Sequence, residues 1–122
     1  MAPPAFRAEE FRIHPDHDAA YAALEQAALE GRKPQQAIWK RFQAARLMLN
    51  QDPLWGDVIP AADIPSYFRH RYGLENLYCL DLKGDVRCFY TIDERDVIFL
   101  DIVDHEEYDK WFPSKGRRPR RR

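Results

Sequence analysis

The fold of this protein is decided by residues 77–103, LYCLDLKGDVRCFYTIDERDVIFLDIV. This stretch divides into three segments rich in β-branched and aromatic residues: Leu77–Leu82, Val86–Ile92 and Val97–Val103. The polar interruptions between them, a Lys83-Gly84 turn and residues 93–96, are typical of tight hairpin connections. The pattern predicts three antiparallel strands joined as a meander.

Alternation along these strands predicts which side chains face the rest of the molecule, because residues two apart share one face of a sheet. In the last strand Ile98, Leu100 and Ile102 are all apolar, so we expect them to face the helices. By the same parity the middle strand presents four residues to the helices: Val86, Cys88, Tyr90 and Ile92. The opposite face is then predicted to be open and shared by Arg87 and His105.

Two helices are predicted before the strands. Apolar residues at helical spacing follow an N-cap at Asp16 or Asp18 and end at Gly31. A second helix begins at Pro34 and runs to about Asn50. Their short connection predicts an antiparallel helical hairpin.

The remaining segments complete an α+β fold. Phe11–Ile13 alternates like a strand, and the long connection over residues 54–76 contains a helical turn near residues 63–71. After the last strand, Asp104 caps a short helix, with Glu107 three residues on. We therefore predict a small single domain, an N-terminal strand and helical hairpin packed on an antiparallel β-sheet, with a short C-terminal helix.

The composition supports one domain over residues 1–113, followed by a basic tail over residues 114–122. The chain has 122 residues, of which 45% are hydrophobic and 32% charged. Six of the 19 basic residues lie in 115–122, so residues 1–114 carry 13 basic and 20 acidic residues, a net charge of −7. We expect the tail to be disordered and able to bind polyanions. Without a signal peptide or a membrane-spanning apolar run, the expected location is cytoplasmic, with no membrane partner.

Two cysteines lie in the predicted hairpin. A two-residue turn at Lys83-Gly84 would place Cys79 opposite Cys88 with Cα atoms about 4.5 Å apart, close enough for a disulfide. The reducing cytoplasm favours two free thiols, and a three-residue loop would remove the pairing altogether.

The sequence lacks the usual motifs of nucleotide-binding and hydrolytic enzymes, namely a glycine-rich phosphate loop and a nucleophile elbow. His14 and His17 are spaced as metal ligands could be, but no partner pair follows, so helix-start capping is the favoured interpretation. We predict no cofactor and no metal. His70, between Arg69 and Arg71, is interpreted as part of an exposed basic patch.

The remaining candidate catalytic residues are Arg87, His105 and Tyr108. The candidate RNA-binding residues, expected to lie nearby, are Lys83, Arg69 and Arg71. A guanidinium can grip a phosphate, an imidazole can move protons near neutral pH, and a tyrosine can stack on a base or donate a proton. Together they could cleave RNA without metal. Spacing alone favours structural roles instead: Arg87 paired with Asp101, His105 ending a strand, and Tyr108 packing the last helix.

The run from Ile64 to Phe112 resembles the RelE/ParE superfamily of toxins from type II toxin-antitoxin systems. The likeness rests on three motifs: Asn76-Leu77-Tyr78, the Arg-x-x-Tyr-Thr-Ile strand from Arg87 to Ile92, and the Asp-His-x-x-Tyr-x-x-x-Phe segment from Asp104 to Phe112. The resemblance implies a RelE-like fold and a toxin that cuts messenger RNA, usually on the ribosome, and is neutralised by a cognate antitoxin protein.

The resemblance also implies roles for single residues. Arg87 would contact the scissile phosphate, and His105 and Tyr108 would act in proton transfer or base stacking. Two departures from the family pattern stand out: the body is acidic, and Glu106 and Glu107 follow the histidine where a basic residue is usual. Acidic neighbours repel phosphates. Two alternatives therefore stay open, a catalytically weak or inactive protein-binding module on the same scaffold and a gyrase-targeting, ParE-like toxin.

Overall fold

A computed structural model describes Ala8 and residues 10–112, and it has the predicted α+β class. Five strands form one mixed sheet in the order β1-β5-β4-β3-β2: β1 (Glu10–Ile13), β2 (Asp57–Val58), β3 (Tyr78–Asp81), β4 (Arg87–Asp93) and β5 (Asp96–Val103). The predicted meander is confirmed, since β3, β4 and β5 pair antiparallel. The prediction of a wholly antiparallel sheet is wrong, because β1 joins the meander parallel to β5. The tail predicted at residues 114–122 lies outside the described residues.

The described residues contain four α-helices: α1 (Asp18–Leu29), α2 (Lys33–Gln51), α3 (Ser66–Tyr72) and α4 (His105–Trp111). The predicted hairpin of α1 and α2 is confirmed, as is the helical turn that became α3. The Asp104 cap of α4 is also confirmed, because its carboxylate accepts a hydrogen bond from the Glu107 amide at 2.9 Å.

The predicted N-cap of α1 is wrong. A 3-10 turn at Pro15–His17 precedes the helix, so the N-cap position falls on His17 rather than on Asp16 or Asp18. The Asp16 carboxylate binds the Arg71 guanidinium instead, at 2.9 Å. The ion pair therefore ties the chain before α1 to α3.

The sheet is covered on both faces, so the expectation of an open face is wrong. The α1–α2 hairpin covers one face, with Tyr21 and Phe42 packing on Cys88, Tyr90 and Phe99. On the other face, α3 and α4 build a second core, which contains Phe68, Leu77, Cys79, Phe89, Leu100 and Phe112. Because aromatic rings supply much of this layer, it buries large apolar areas with few residues.

A β-bulge in β5 corrects the predicted facing of that strand. Cys88 pairs with Ile102 but Tyr90 pairs with Phe99, so Leu100 and Asp101 together oppose a single residue of β4. The extra residue reverses the alternation along the strand. Ile98 and Leu100 therefore pack in the second core, whereas Ile102 packs against the hairpin-side core as predicted.

The β3–β4 connection is one residue longer than predicted. Residues Lys83–Asp85 form a 3-10 turn, and the register pairs Cys79 with Phe89 and Leu80 with Cys88. The predicted pairing of Cys79 with Cys88 is therefore wrong, and the two cysteines lie in different cores as free thiols. The favoured interpretation of two unbonded cysteines is confirmed. Among the described residues, no helix is both long and apolar enough to cross a membrane.

Candidate functional site

Arg87 lies at the start of β4, where three contacts fix its side chain. Its Nε is 3.2 Å from Asp81 Oδ1, across the β3–β4 ladder in which the two residues pair directly. Its Nη1 donates to the Asp85 carbonyl at 3.4 Å, and its guanidinium carbon lies 4.3 Å from the centre of the Tyr108 ring. The predicted alternative, a pair with Asp101, is wrong, because Arg87 pairs with Asp81 and the Asp101 carboxylate accepts hydrogen bonds from Tyr67 and Tyr72.

The Arg87 guanidinium is held before any ligand arrives. Its side chain is only 13% exposed, although it belongs to a charged residue. The Asp81 carboxylate and the Asp85 carbonyl engage Nε and Nη1, whereas the Nη2 donors make no hydrogen bond to the described residues. A cation with its ring face covered and one donor edge free is preorganised to receive an anionic oxygen.

Tyr108 is half-buried, and its ring packs against both Phe112, at 4.8 Å, and Phe89, at 6.2 Å. The predicted packing role of Tyr108 is therefore confirmed, with the Arg87 cation–π contact added to it. His105 is the first residue of α4 and is exposed. Val103, which pairs with Arg87 in the sheet, lies two residues before it.

The three candidate RNA-binding residues separate in space. Lys83 lies in the β3–β4 turn beside the Asp81–Arg87 pair. Arg71 binds the Asp16 carboxylate through Nε and Nη2, at 3.1 and 2.9 Å. Arg69 binds the Ala61 carbonyl. The polar contacts of these two arginines thus attach α3 to other segments, and only Lys83 is brought beside Arg87 by the hairpin.

Two cations on α2 were missed as site candidates. Arg41 Nε donates to the Asp81 carbonyl at 3.4 Å, so the backbone and the carboxylate of Asp81 join Arg41 and Arg87. Lys40 and Arg41 line a groove of about 660 Å³ with Lys83. Periodicity places both residues on the exposed face of α2, but no signal in the sequence links that face to the turn after β3.

A second polar cluster lies at the Asp101 carboxylate, which is buried at the bulge. Tyr67 Oη donates to its Oδ2 at 2.8 Å, and Tyr72 Oη donates to its Oδ1 at 2.7 Å. His17 Nε2 lies 2.6 Å from the Tyr72 hydroxyl and 3.2 Å from Asp101 Oδ1. Burial raises the pKa of Tyr72 well above its usual value, and its hydrogen bonds to Tyr67 and Asp101 raise it further. The Asp101 cluster was missed because its members come from three distant segments.

His14 and His17, the two histidines at the predicted start of the first helix, lie near the Asp101 cluster. His14 Nδ1 accepts a hydrogen bond from the Asp16 amide at 3.1 Å, so His14 caps the 3-10 turn. His17 makes no side-chain capping bond and instead contacts Tyr72 and Asp101. Capping is therefore confirmed for His14 alone. Within residues 10–112 and Ala8, no group of three or more potential ligands is arranged to hold a metal ion.

The two thiols, Cys79 and Cys88, and the buried Tyr90 hydroxyl stay protonated at neutral pH. Burial raises the pKa of Cys88 to about 12 and raises that of Cys79 as well. Tyr90, whose hydroxyl donates to the Pro53 carbonyl at 2.8 Å, also has a pKa raised by burial. At neutral pH these groups are therefore uncharged.

Comparison with protein-family models, with curated proteins and with solved structures finds no match to this chain.

Proposed function

We propose that this protein is a RelE-like toxin of a type II toxin-antitoxin system, which cleaves messenger RNA without a metal and is neutralised by a cognate antitoxin protein. The observation that carries the proposal is the Arg87 guanidinium, held between the Asp81 carboxylate and the Tyr108 ring with donors free. Lys83 and Arg41 add positive charge beside it. Such a site suits a phosphodiester, since a planar guanidinium binds two phosphate oxygens at once.

In the proposed reaction, the 2'-hydroxyl of one nucleotide attacks the adjacent phosphorus. The new O2'–P bond forms as the P–O5' bond breaks, which leaves a 2',3'-cyclic phosphate and a free 5'-hydroxyl. Arg87 stabilises the charge that develops on the phosphate oxygens. His105, exposed at the start of α4, accepts the proton of the attacking 2'-hydroxyl and returns a proton to the departing 5'-oxygen. Tyr108 positions Arg87 through the cation–π contact between its ring and the guanidinium.

A second candidate function is a catalytically weak or inactive protein-binding module. Two observations favour it. The Asp81 carboxylate already occupies Arg87, and the exposed residues Glu106 and Glu107 follow His105 directly. Both features lower the affinity for phosphate by competition and by repulsion.

The test is induced expression in a bacterial host, with growth followed and messenger RNA mapped for cuts inside reading frames. The wild type should arrest growth and cut messenger RNA, and Arg87→Ala should abolish both. The matched control is Arg12→Ala, another strand arginine in an ion pair, bound to Asp96 at 3.2 Å on β1. This variant should stay toxic.

The other outcomes decide between the alternatives. Arrest without cuts would point to a gyrase-targeting, ParE-like toxin. Normal growth with abundant folded protein would favour the binding module, and toxicity that survives Arg87→Ala would refute the role of Arg87.

A further inference from the structure

Helix α2 differs in charge from the rest of the molecule. It spans Lys33–Gln51 and contains four basic residues and no Asp or Glu. The body of the chain, residues 1–114, carries 20 acidic residues, all of them outside this helix. A helix without a carboxylate in so acidic a protein presents an isolated positive surface, which attracts negatively charged partners.

Two of the four cations of α2 lie at a groove, whereas Arg46 lies over the Phe11 ring of β1. Ala37, Lys40, Arg41 and Ala44 follow one another at the three- and four-residue spacing of a single helix face. The groove between this face and the β3–β4 turn has a volume of about 660 Å³. Its described lining consists of Ala37, Lys40, Arg41, Leu82 and Lys83. Lys40, Arg41 and Lys83 form no salt bridge with a carboxylate of the described residues.

The same helix becomes apolar towards its C-terminal end. Leu47 is 71% exposed and Met48 is 45% exposed, one turn beyond Ala44. The chain turns sharply after α2, because the Trp55 amide bonds to the Asp52 carbonyl, and two further large apolar side chains are exposed there: Leu54 and Trp55. Neighbouring exposed apolar residues of this size mark a surface that another molecule covers.

We propose that this surface binds an acidic amphipathic α-helix of a partner protein. We name it the α2 surface and define it by a basic end, Lys40, Arg41 and Lys83, and an apolar end, Leu47, Met48, Leu54 and Trp55. Apolar residues of the partner helix pack on the apolar end, and its carboxylates pair with the basic end.

Other occupants satisfy only part of the surface. Two copies of α2 packed antiparallel would lay the cations of each helix against apolar residues of the other, and neither helix supplies a carboxylate. A nucleic acid would neutralise the basic end but leave Leu47 and Met48 uncovered. An acidic amphipathic helix matches both ends at once.

The proposal is tested by fluorescence anisotropy with a labelled synthetic peptide of about 18 residues, long enough to lie along α2 as a helix. The peptide carries leucines at helical spacing on one face and glutamates on the other. It should bind the full-length wild-type chain, whereas a scrambled peptide of the same composition should not. Equal binding of both peptides, or of neither, would overturn the proposal.

Three variants locate the binding. The double variant Leu47→Ser/Met48→Ser should weaken peptide binding about tenfold or more, because each buried apolar side chain contributes that much. Leu29→Ser is the matched control, since Leu29 is 74% exposed at the end of α1, far along the hairpin from Leu47. It should bind like the wild type. Arg87→Ala should also bind normally, so that failure here and failure of the proposed ribonuclease are separable.

A charge swap keeps the test decisive if the serine variant folds poorly. The variant Lys40→Glu/Arg41→Glu should no longer bind the acidic peptide. It should instead bind a peptide in which every glutamate is replaced by lysine. Unchanged preferences would contradict the basic end of the surface. Two further measurements, of binding to anionic vesicles and of self-association, complete the test. Dependence of anionic vesicle binding or of self-association on Leu47 and Met48, without peptide binding, would replace the partner helix with a membrane or with a second copy.

Discussion

Asp81 and Arg87 face each other across the β3–β4 ladder, and their side chains form an ion pair with Nε and Oδ1 3.2 Å apart. The arginine is mostly buried and the carboxylate is half-exposed. The carboxylate therefore has two effects: it orients the guanidinium, and it competes with any phosphate for it.

The first prediction follows from this competition. Asp81→Asn should bind a short oligouridylate more tightly than the wild type, by several-fold, because the competing charge is removed. The measurement is isothermal titration calorimetry with Arg87→Ala as the control that should not bind. Weaker binding by Asp81→Asn would show that orientation by the carboxylate outweighs competition.

The second prediction concerns the Asp101 cluster. Asp101→Ala should lower the free energy of unfolding by about 3 kcal/mol, because two tyrosine hydroxyls lose a charged acceptor in a buried place. Asp101→Asn keeps one acceptor oxygen and should cost less. Urea denaturation measures both variants, and a loss below about 1 kcal/mol for alanine would contradict the structural importance of the cluster.

A third prediction concerns alkaline pH. The pKa of Tyr72 is raised in the folded state by burial, then by its hydrogen bonds to Tyr67 and Asp101. The unfolded tyrosine loses its proton near pH 10, whereas the folded one keeps it, so stability should fall as pH rises above about 10. Tyr72→Phe removes this titrating hydroxyl and should reduce the loss of stability at alkaline pH. Thermal unfolding of both proteins between neutral pH and pH 11 measures the difference, and parallel curves would assign the alkaline loss to other groups.

The fourth prediction concerns the thiols. With the pKa of Cys88 raised to about 12 by burial, and that of Cys79 also raised, almost no thiolate exists at neutral pH. Iodoacetamide should leave both cysteines unmodified in the folded protein and alkylate both in denaturant, as read by intact mass. Rapid alkylation of the folded chain would indicate that one core opens.

A fifth prediction tests the close approach at Gly56. A Cβ added there would lie 2.8 Å from the Tyr90 hydroxyl, which also accepts a hydrogen bond from the Gly56 amide. Gly56→Ala should therefore destabilise the protein by about 1–3 kcal/mol, because Tyr90 is anchored in the core and cannot move aside. Ala44→Gly, at an exposed position of α2, is a control expected to cost about 1 kcal/mol from helix propensity alone. A loss for Gly56→Ala no larger than this would show that the loop relaxes.

The sequence by itself determined the elements of this protein. Its alternating and helical periods predicted the meander, the hairpin of α1 and α2, the turn that became α3 and the Asp104 cap, because these depend on residues close together in the chain. The same reasoning singled out Arg87, since a charged residue in a central strand stands out locally.

Only the tertiary structure decided how the faces are used. The bulge at Leu100 and Asp101 reversed the predicted facing of Ile98 and Leu100, and one extra turn residue separated Cys79 from Cys88. Neither shift has a local signature, because one residue of register changes the face without changing composition.

The polar contacts were decided in the same way. Tyr72 and His17 are 55 residues apart in the chain yet 2.6 Å apart in space, and Arg41 of α2 reaches the backbone of Asp81 in β3. Such contacts depend on how the helices pack on the sheet, and packing is a property of the assembled chain rather than of any one segment.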